Sequence, residues 1–138
     1  PRYEAPPEGP QDPLTKRFPL QLSGWHSKCR THTVHDNNLN LRKLDPQKLW
    51  IHPEDAAARS INDGDMVLVY NDRGQEDPAK ITDRVAKGVA TLSQGTWYTP
   101  DENGVDTRGS INVLTSQRPT PFARGNGQHT NLVEVQKI

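Results

Sequence analysis

The feature that most limits what this chain can become is the way its apolar residues are cut into short runs. Met66-Val-Leu-Val-Tyr70 is the clearest, caught between Asn62-Asp-Gly-Asp65 and Asn71-Asp-Arg-Gly74. Such a run is long enough for a strand and too short for an amphipathic helix. Phe18–Leu22 has the same alternation and ends at Ser23-Gly24. Leu49–His52, Gly88–Leu92 (leaving its sheet at Gln94-Gly95), Ile111–Thr115 and Asn131–Val135 complete the predicted strands. Residues 75–82 read as an edge strand, because Pro78 has no amide to donate to a ladder. Pro53–Arg59 reads as a short helix: proline first, acids in the first turn, alanines inside. Asp36-Asn37-Asn38 is turn-forming, and Pro100–Gly104 is a loop tip. Short strands punctuated by Gly, Pro and Asn, with one short helix and no tandem repeat, predict a small β-barrel or sandwich.

The chain of 138 residues has the length of one domain. Its hydrophobic content of 31% is low for an independent globule. Either the ends are disordered, or part of the surface lies against other domains of a longer polypeptide. Residues 1–17, rich in proline, read as a linker or extended lead-in, with the folded domain at 18–138. The 17 basic and 17 acidic residues cancel, which argues against a nucleic-acid partner. No apolar run approaches the roughly 20 residues that cross a bilayer, so no direct membrane insertion is expected. Cys29 is the only cysteine and excludes an internal disulfide. The chain starts at Pro1 without a secretory or twin-arginine signal, and we expect it to be a piece of something larger.

Chemistry concentrates in the segment Leu22–Thr33. Trp25, His26, Lys28, Arg30, His32 and Thr33 crowd indole, imidazole, cationic and hydroxyl groups into one loop. Gly24 allows the backbone to approach a ligand closely, and Lys28 or Arg30 can neutralise pyrophosphate. The surface suits a large, anionic, hydrogen-bond-rich ligand such as a nucleotide-type cofactor; the plainer alternative is a solvated polar loop. Downstream, Asn112 and Thr115 sit in Asn-Val-Leu-Thr, where Asn offers a paired donor and acceptor to a heterocycle edge or caps a strand end. Asn126, Gln128, His129 and Asn131 lie in the Gly-containing segment 124–131. Trp97 and Tyr98 suit either a ligand or core packing. Arg108 and Arg118 read as surface charges or interdomain contacts.

Two metal readings fail on spacing. His26, Cys29, His32 and His35 have zinc-ligand chemistry but lack the usual paired arms. Asn62–Asp65 lacks the alternating ligands and closing Glu of a calcium loop. No nucleophile–base–acid set assembles and no P-loop is present, so we assign no catalytic and no metal-binding residue.

Taken in order, these elements carry a resemblance. They are the His/Arg/Thr loop, Ile51-His-Pro-Glu-Asp-Ala56, Ile61-Asn-Asp-Gly-Asp-Met-Val-Leu-Val-Tyr-Asn-Asp-Arg-Gly74, Lys87-Gly-Val-Ala90, Gln94-Gly-Thr-Trp-Tyr98, Asn112-Val-Leu-Thr115 and Gly125-Asn-Gly-Gln-His-Thr-Asn-Leu-Val-Glu-Val135. From Phe18 to Ile138 the chain resembles the C-terminal molybdopterin-dinucleotide-binding domain of the dimethyl sulfoxide reductase family, most of all its membrane-anchored anaerobic branch. The resemblance implies a double-psi β-barrel with short peripheral helices, closing one side of a bis(molybdopterin guanine dinucleotide) molybdenum cofactor. It implies pterin or nucleotide contacts from Gly24–Thr33, Trp97, Asn112–Thr115 and the 124–131 segment. It further implies an enzyme that reduces S-oxides or N-oxides in anaerobic respiration, with the iron–sulfur cluster and molybdenum ligand in other domains. Such relatives work on the periplasmic face of the cytoplasmic membrane, with an iron–sulfur electron-transfer subunit and a membrane-anchor subunit. The alternative is a barrel of the same class that binds a peptide or protein without cofactor.

Overall fold

A computed structural model describes residues 2–72, 74–127 and 129–138, and for 74–78 the backbone alone. The strands are β1 (Leu20–His26), β2 (Leu49–Ile51), β3 (Met66–Tyr70), β4 (Gly74–Ile81), β5 (Val89–Gln94) and β6 (Asn131–Lys137). They close into a barrel in the order β1-β5-β2-β4-β3-β6. Two pairs are parallel, β1 with β5 and β2 with β4, and the other pairings are antiparallel. This is the double-psi barrel, with helices confined to its periphery.

Alternation along the strands builds the interior. Leu20 and Leu22, Val67 and Val69, Ala90 and Leu92, and Val133 and Val135 all point into one aliphatic cluster. Leu49 and Ile51 join it from β2, Ala56 and Ile61 from around helix α2 (Pro53–Ala57). Closure leaves no long hydrogen-bonding edge open, which is how a small sheet protein avoids edge pairing.

Three local outcomes differ from the sequence expectations. Ile111–Thr115 is not a strand: Ile111–Val113 is a turn of 3-10 helix. Ile111 and Leu114 are both buried and three residues apart, which a helical turn puts on one side and a strand would split. Strand β4 is flanked on both sides, although Pro78 stands where β4 pairs only with β3, since β2 pairing begins at Ala79. Helix α1 (Leu39–Leu44) was not anticipated; Asn38, read as a turn residue, accepts the amides of Asn40 and Leu41 and caps it.

Residues 7–17 form consecutive turns, where their prolines predict an extended lead-in. Asp12 accepts the Glu8 and Leu14 amides at 3.0 and 2.9 Å and starts a 3-10 turn at Pro13–Lys16. Accepting those amides holds its carboxyl below the usual range. Glu8 in turn receives the Leu132 amide, and its carbonyl receives the Gln21 side chain. Among the described residues, no helix is long and apolar enough to cross a membrane.

Leu92 is fully buried within the cluster. Leu92→Ala should lower unfolding free energy by about 2–5 kcal/mol. Met66→Ala, at an exposed position of β3, should stay within about 0.5 kcal/mol. Urea denaturation of the two variants checks both.

Candidate functional site

Beyond His26 the chain leaves the barrel as an arch, residues 27–38, and the arch is anchored by charge. Ser27 donates to Asp45 at 2.5 Å and receives the Cys29 amide. Arg30 turns inward and is only 9% exposed. One terminal nitrogen donates to Asp36 Oδ1 and to Thr96, both at 2.9 Å. The other donates to Gln47 at 2.8 Å and to the Ser93 hydroxyl. Gln47 is itself fixed by donating to the Ser93 and Gly109 carbonyls.

Asp36 is the hub. It is 0% exposed, and its Oδ2 accepts the Trp97 amide at 3.0 Å and the Arg108 guanidinium at 2.7 Å. Burial alone pushes this carboxyl up. The Trp97 amide and the Arg30 and Arg108 guanidiniums outweigh burial and hold it below its ordinary value of 3.8. A second buried carboxylate, Asp106, accepts the Thr99 and Ser110 amides and so sets the 99–110 loop and the start of the Ile111–Val113 turn.

These anchors place several expected site residues around one recess. The segment after β5 meets the arch at two points. His32, with φ of 51°, brings its carbonyl so close to Gly95 that a Cβ there would lie 1.7 Å from the oxygen. Gly95 also has φ of 94°, so only glycine serves. One residue on, the Trp97 indole donates to the Thr33 carbonyl at 2.9 Å. Thr33, Trp97 and Asn112 then line a depression of about 550 Å³, joined by Thr96, Tyr98, Ser110 and Val113. The His26 and His32 rings stand edge to face, 5.0 Å between centroids.

Gly24 packs against β5 and the Ile111–Val113 turn. A Cβ there would sit 2.8 Å from the Gln94 side chain and 3.2 Å from Ile111, so β1, β5 and the Ile111–Val113 turn depend on its bareness. Its amide donates to His129 Nδ1 at 3.3 Å, which brings the 124–131 segment to the end of β1.

Other expected residues face elsewhere. Trp25 packs on Trp50 with centroids 5.0 Å apart. Thr115 is buried and donates its hydroxyl to the Asn112 carbonyl. Asn131, fully buried, braces the backbone by accepting from Ser116 and donating to Gly127. Asn126 is exposed in a bridge with Pro119, and Lys28 is exposed on the arch. Gln128 lies outside the described residues.

The arrangement is therefore a recess of mixed polar and aromatic lining, presented by irregular segments on a rigid barrel, with inner residues spent on holding those segments. Asp36, Gln47, Ser93 and Thr96 were missed as contributors, and Arg108, read as a surface charge or an interdomain contact, pairs with Asp36 within the chain. One signal was available for Asp36: an arginine that turns inward requires a carboxylate, and Asp36 is the first acid after Arg30 in the chain.

The site is thus a recess carried by irregular segments on a closed six-stranded barrel with two parallel pairs. The family model described as "Molydopterin dinucleotide binding domain" matches residues 20–132. The chain belongs to this family. It is 50% identical over 128 residues to dimethyl sulfoxide reductase DmsA of Haemophilus influenzae, covering 92% of this chain and 16% of that protein. Identity to dimethyl sulfoxide reductase DmsA of Escherichia coli is also 50%, over 132 residues, covering 95% and 16%. Trimethylamine-N-oxide reductase 1 of Escherichia coli is 37% identical over 135 residues, covering 91% and 16%. Acetylene hydratase from Pelobacter acetylenicus shares the fold at a TM-score of 0.76 with 16% identity, covering 100% of this chain and 21% of that one. The chain thus spans only 16% of the length of those reductases.

Asp36→Asn keeps the shape of the hub but removes its charge, leaving Arg30 buried without a counter-ion. Stability should fall by about 3–5 kcal/mol, measured by denaturant unfolding. Because folding lowers the Asp36 pKa, its contribution is complete above the ordinary carboxylate value and is lost as pH falls through the folded value. Trp97 fluorescence should therefore report a docked arch from neutral pH down past pH 5, and release only in stronger acid.

Proposed function

We propose that this chain holds one flank of a bis(molybdopterin guanine dinucleotide) cofactor in an oxidoreductase that reduces S-oxides or N-oxides, such as dimethyl sulfoxide, in anaerobic respiration. The observation that carries the reading is the recess where Thr33, Trp97 and Asn112 meet, in a chain of the molybdopterin-dinucleotide family. Its donor set fits such a group. Asn112 is exposed, with an amide that can give and accept in one plane. Trp97 offers an indole face, Thr33 lines the recess, and His26 and His32 are exposed.

The group, when bound, supplies oxygen-atom transfer at molybdenum. The residues of this chain bind and orient it. Asn112 would read a heterocycle edge, Trp97 would pack against it, and Gly24 and His129 would present backbone and imidazole beside it. Lys28, exposed on the arch, would be a cation placed to approach pyrophosphate. Arg30, with both terminal nitrogens engaged, would act through the shape of the arch.

The reductase reading extends to the whole assembly. Catalytic and metal-ligating groups would come from the remaining length of the catalytic polypeptide, which would also carry the iron–sulfur cluster. An iron–sulfur subunit and a membrane-anchor subunit would deliver electrons at the periplasmic face of the membrane. A cofactor-free peptide-binding barrel gains no support from the family match.

Asn112→Ala in the complete catalytic polypeptide should reduce guanine nucleotide retained per polypeptide about ten-fold, the equivalent of roughly 1.4 kcal/mol. Thermal stability of the barrel should not change. Acid release followed by chromatography of the nucleotides is the readout. Full retention in the variant, or release of a different nucleotide from the unaltered protein, contradicts the assignment.

A further inference from the structure

Helix α1 has no buried residue, yet three of its six positions are leucine. Leu39 is 65% exposed and Leu44 is 76% exposed. A helix this short has little intrinsic stability in water and normally depends on packing of an apolar face. Here the Asn38 cap holds one end and Leu41 is partly covered, while Leu39 and Leu44 stay exposed among the described residues.

The surface beside α1 is cationic. A recess of about 490 Å³ is lined by Leu39, Arg42, Lys43 and Pro46 on one side and by Arg30 and Arg108 at its back. Arg30 and Arg108 are committed to Asp36. Arg42 and Lys43 are exposed, and among the described residues neither forms an ion pair. Asp45, the one acid in the lining, is already receiving the Ser27 hydroxyl. This face therefore presents exposed leucines with two unpaired cations between them.

We propose that α1 and its recess dock an acidic segment with flanking apolar side chains, supplied by the part of the catalytic polypeptide that this chain does not include. Charge complementarity selects carboxylates for Arg42 and Lys43. The exposed leucines select a protein segment over a small anion, since a phosphate or free carboxylate would leave them in water. The chain spans 16% of the length of its relatives, so ample polypeptide exists to supply the segment. The docking rests on family membership and does not depend on which nucleotide the cofactor carries.

A zero-length carbodiimide, which joins a lysine amine to a carboxylate in contact with it, tests this on the complete catalytic polypeptide. Lys87 and Glu54 lie 2.5 Å apart and form an internal control in the same digest. The expected result is a Lys43 link to an Asp or Glu outside residues 1–138, with Lys43 acetylation at least ten-fold slower than in the isolated 138-residue chain. An Arg42→Lys variant supplies a second amine, so that the reach of Lys43 alone does not decide the outcome. Recovery of the Lys87–Glu54 link with no outside link from position 42 or 43 overturns the proposal. So does protection of Lys43 from acetylation without a carboxylate link, which would mark a small anion.

Discussion

The site depends on a carboxylate that has no contact with water. Asp36 is held between the Arg30 and Arg108 guanidiniums, with the Trp97 amide completing its shell. Removing a carboxylate from water costs several kcal/mol, and only close, well-aligned partners offset that. Here the partners come from three separate stretches of chain: the arch, the segment after β5, and the loop before the Ile111–Val113 turn. Satisfying one charge therefore fixes the three relative to one another. Gln47, Ser93 and Thr96 extend the same network onto β5 by way of Arg30.

Stability and recognition are separated in this fold. The aliphatic barrel interior makes no use of the recess, and the recess contributes little apolar burial. What joins them is close backbone approach at two glycines. At Gly24 the strand meets Gln94 and Ile111, and at Gly95 the chain meets the His32 carbonyl. Side chains at either point would force apart the segments that Asp36 draws together. A rigid scaffold carrying polar loops is how many cofactor sites combine precision with adaptable surface.

The barrel was legible in the sequence because a strand announces itself locally. Met66–Tyr70 alternates and is bounded by turn residues, and the structure places its ends at the same residues. The Pro53 helix start was legible for a similar reason. Ile111–Thr115 misled because a short apolar run looks alike in a strand and in a helical turn until burial separates them. Helix α1 was hidden by its lack of an apolar face packed within the chain. Of the recess, the individual side chains at Thr33, Trp97 and Asn112 were legible, but their convergence was not. The ion network was least legible, since Asp36 is 72 residues from Arg108 in sequence, and Asp36-Asn37-Asn38 has a sufficient local explanation as a turn. Long-range charge pairing leaves no periodic trace.

Family membership makes the chain a molybdopterin-dinucleotide domain, and the structure gives that domain a physical rationale. A heterocycle with many hydrogen-bonding edges calls for fixed donors at a fixed spacing. The Asp36 hub supplies the fixity without itself facing the recess. The most direct test is hydrogen exchange at Trp97, followed by NMR on the chain without cofactor. If Asp36 locks the arch, the Trp97 amide and indole protons exchange far more slowly than the amides of Glu102 and Asn103 at the exposed loop tip, although Trp97 is itself 44% exposed. Exchange at Trp97 as fast as at that tip would contradict the account, because the arch would then be open and the recess would have no form of its own.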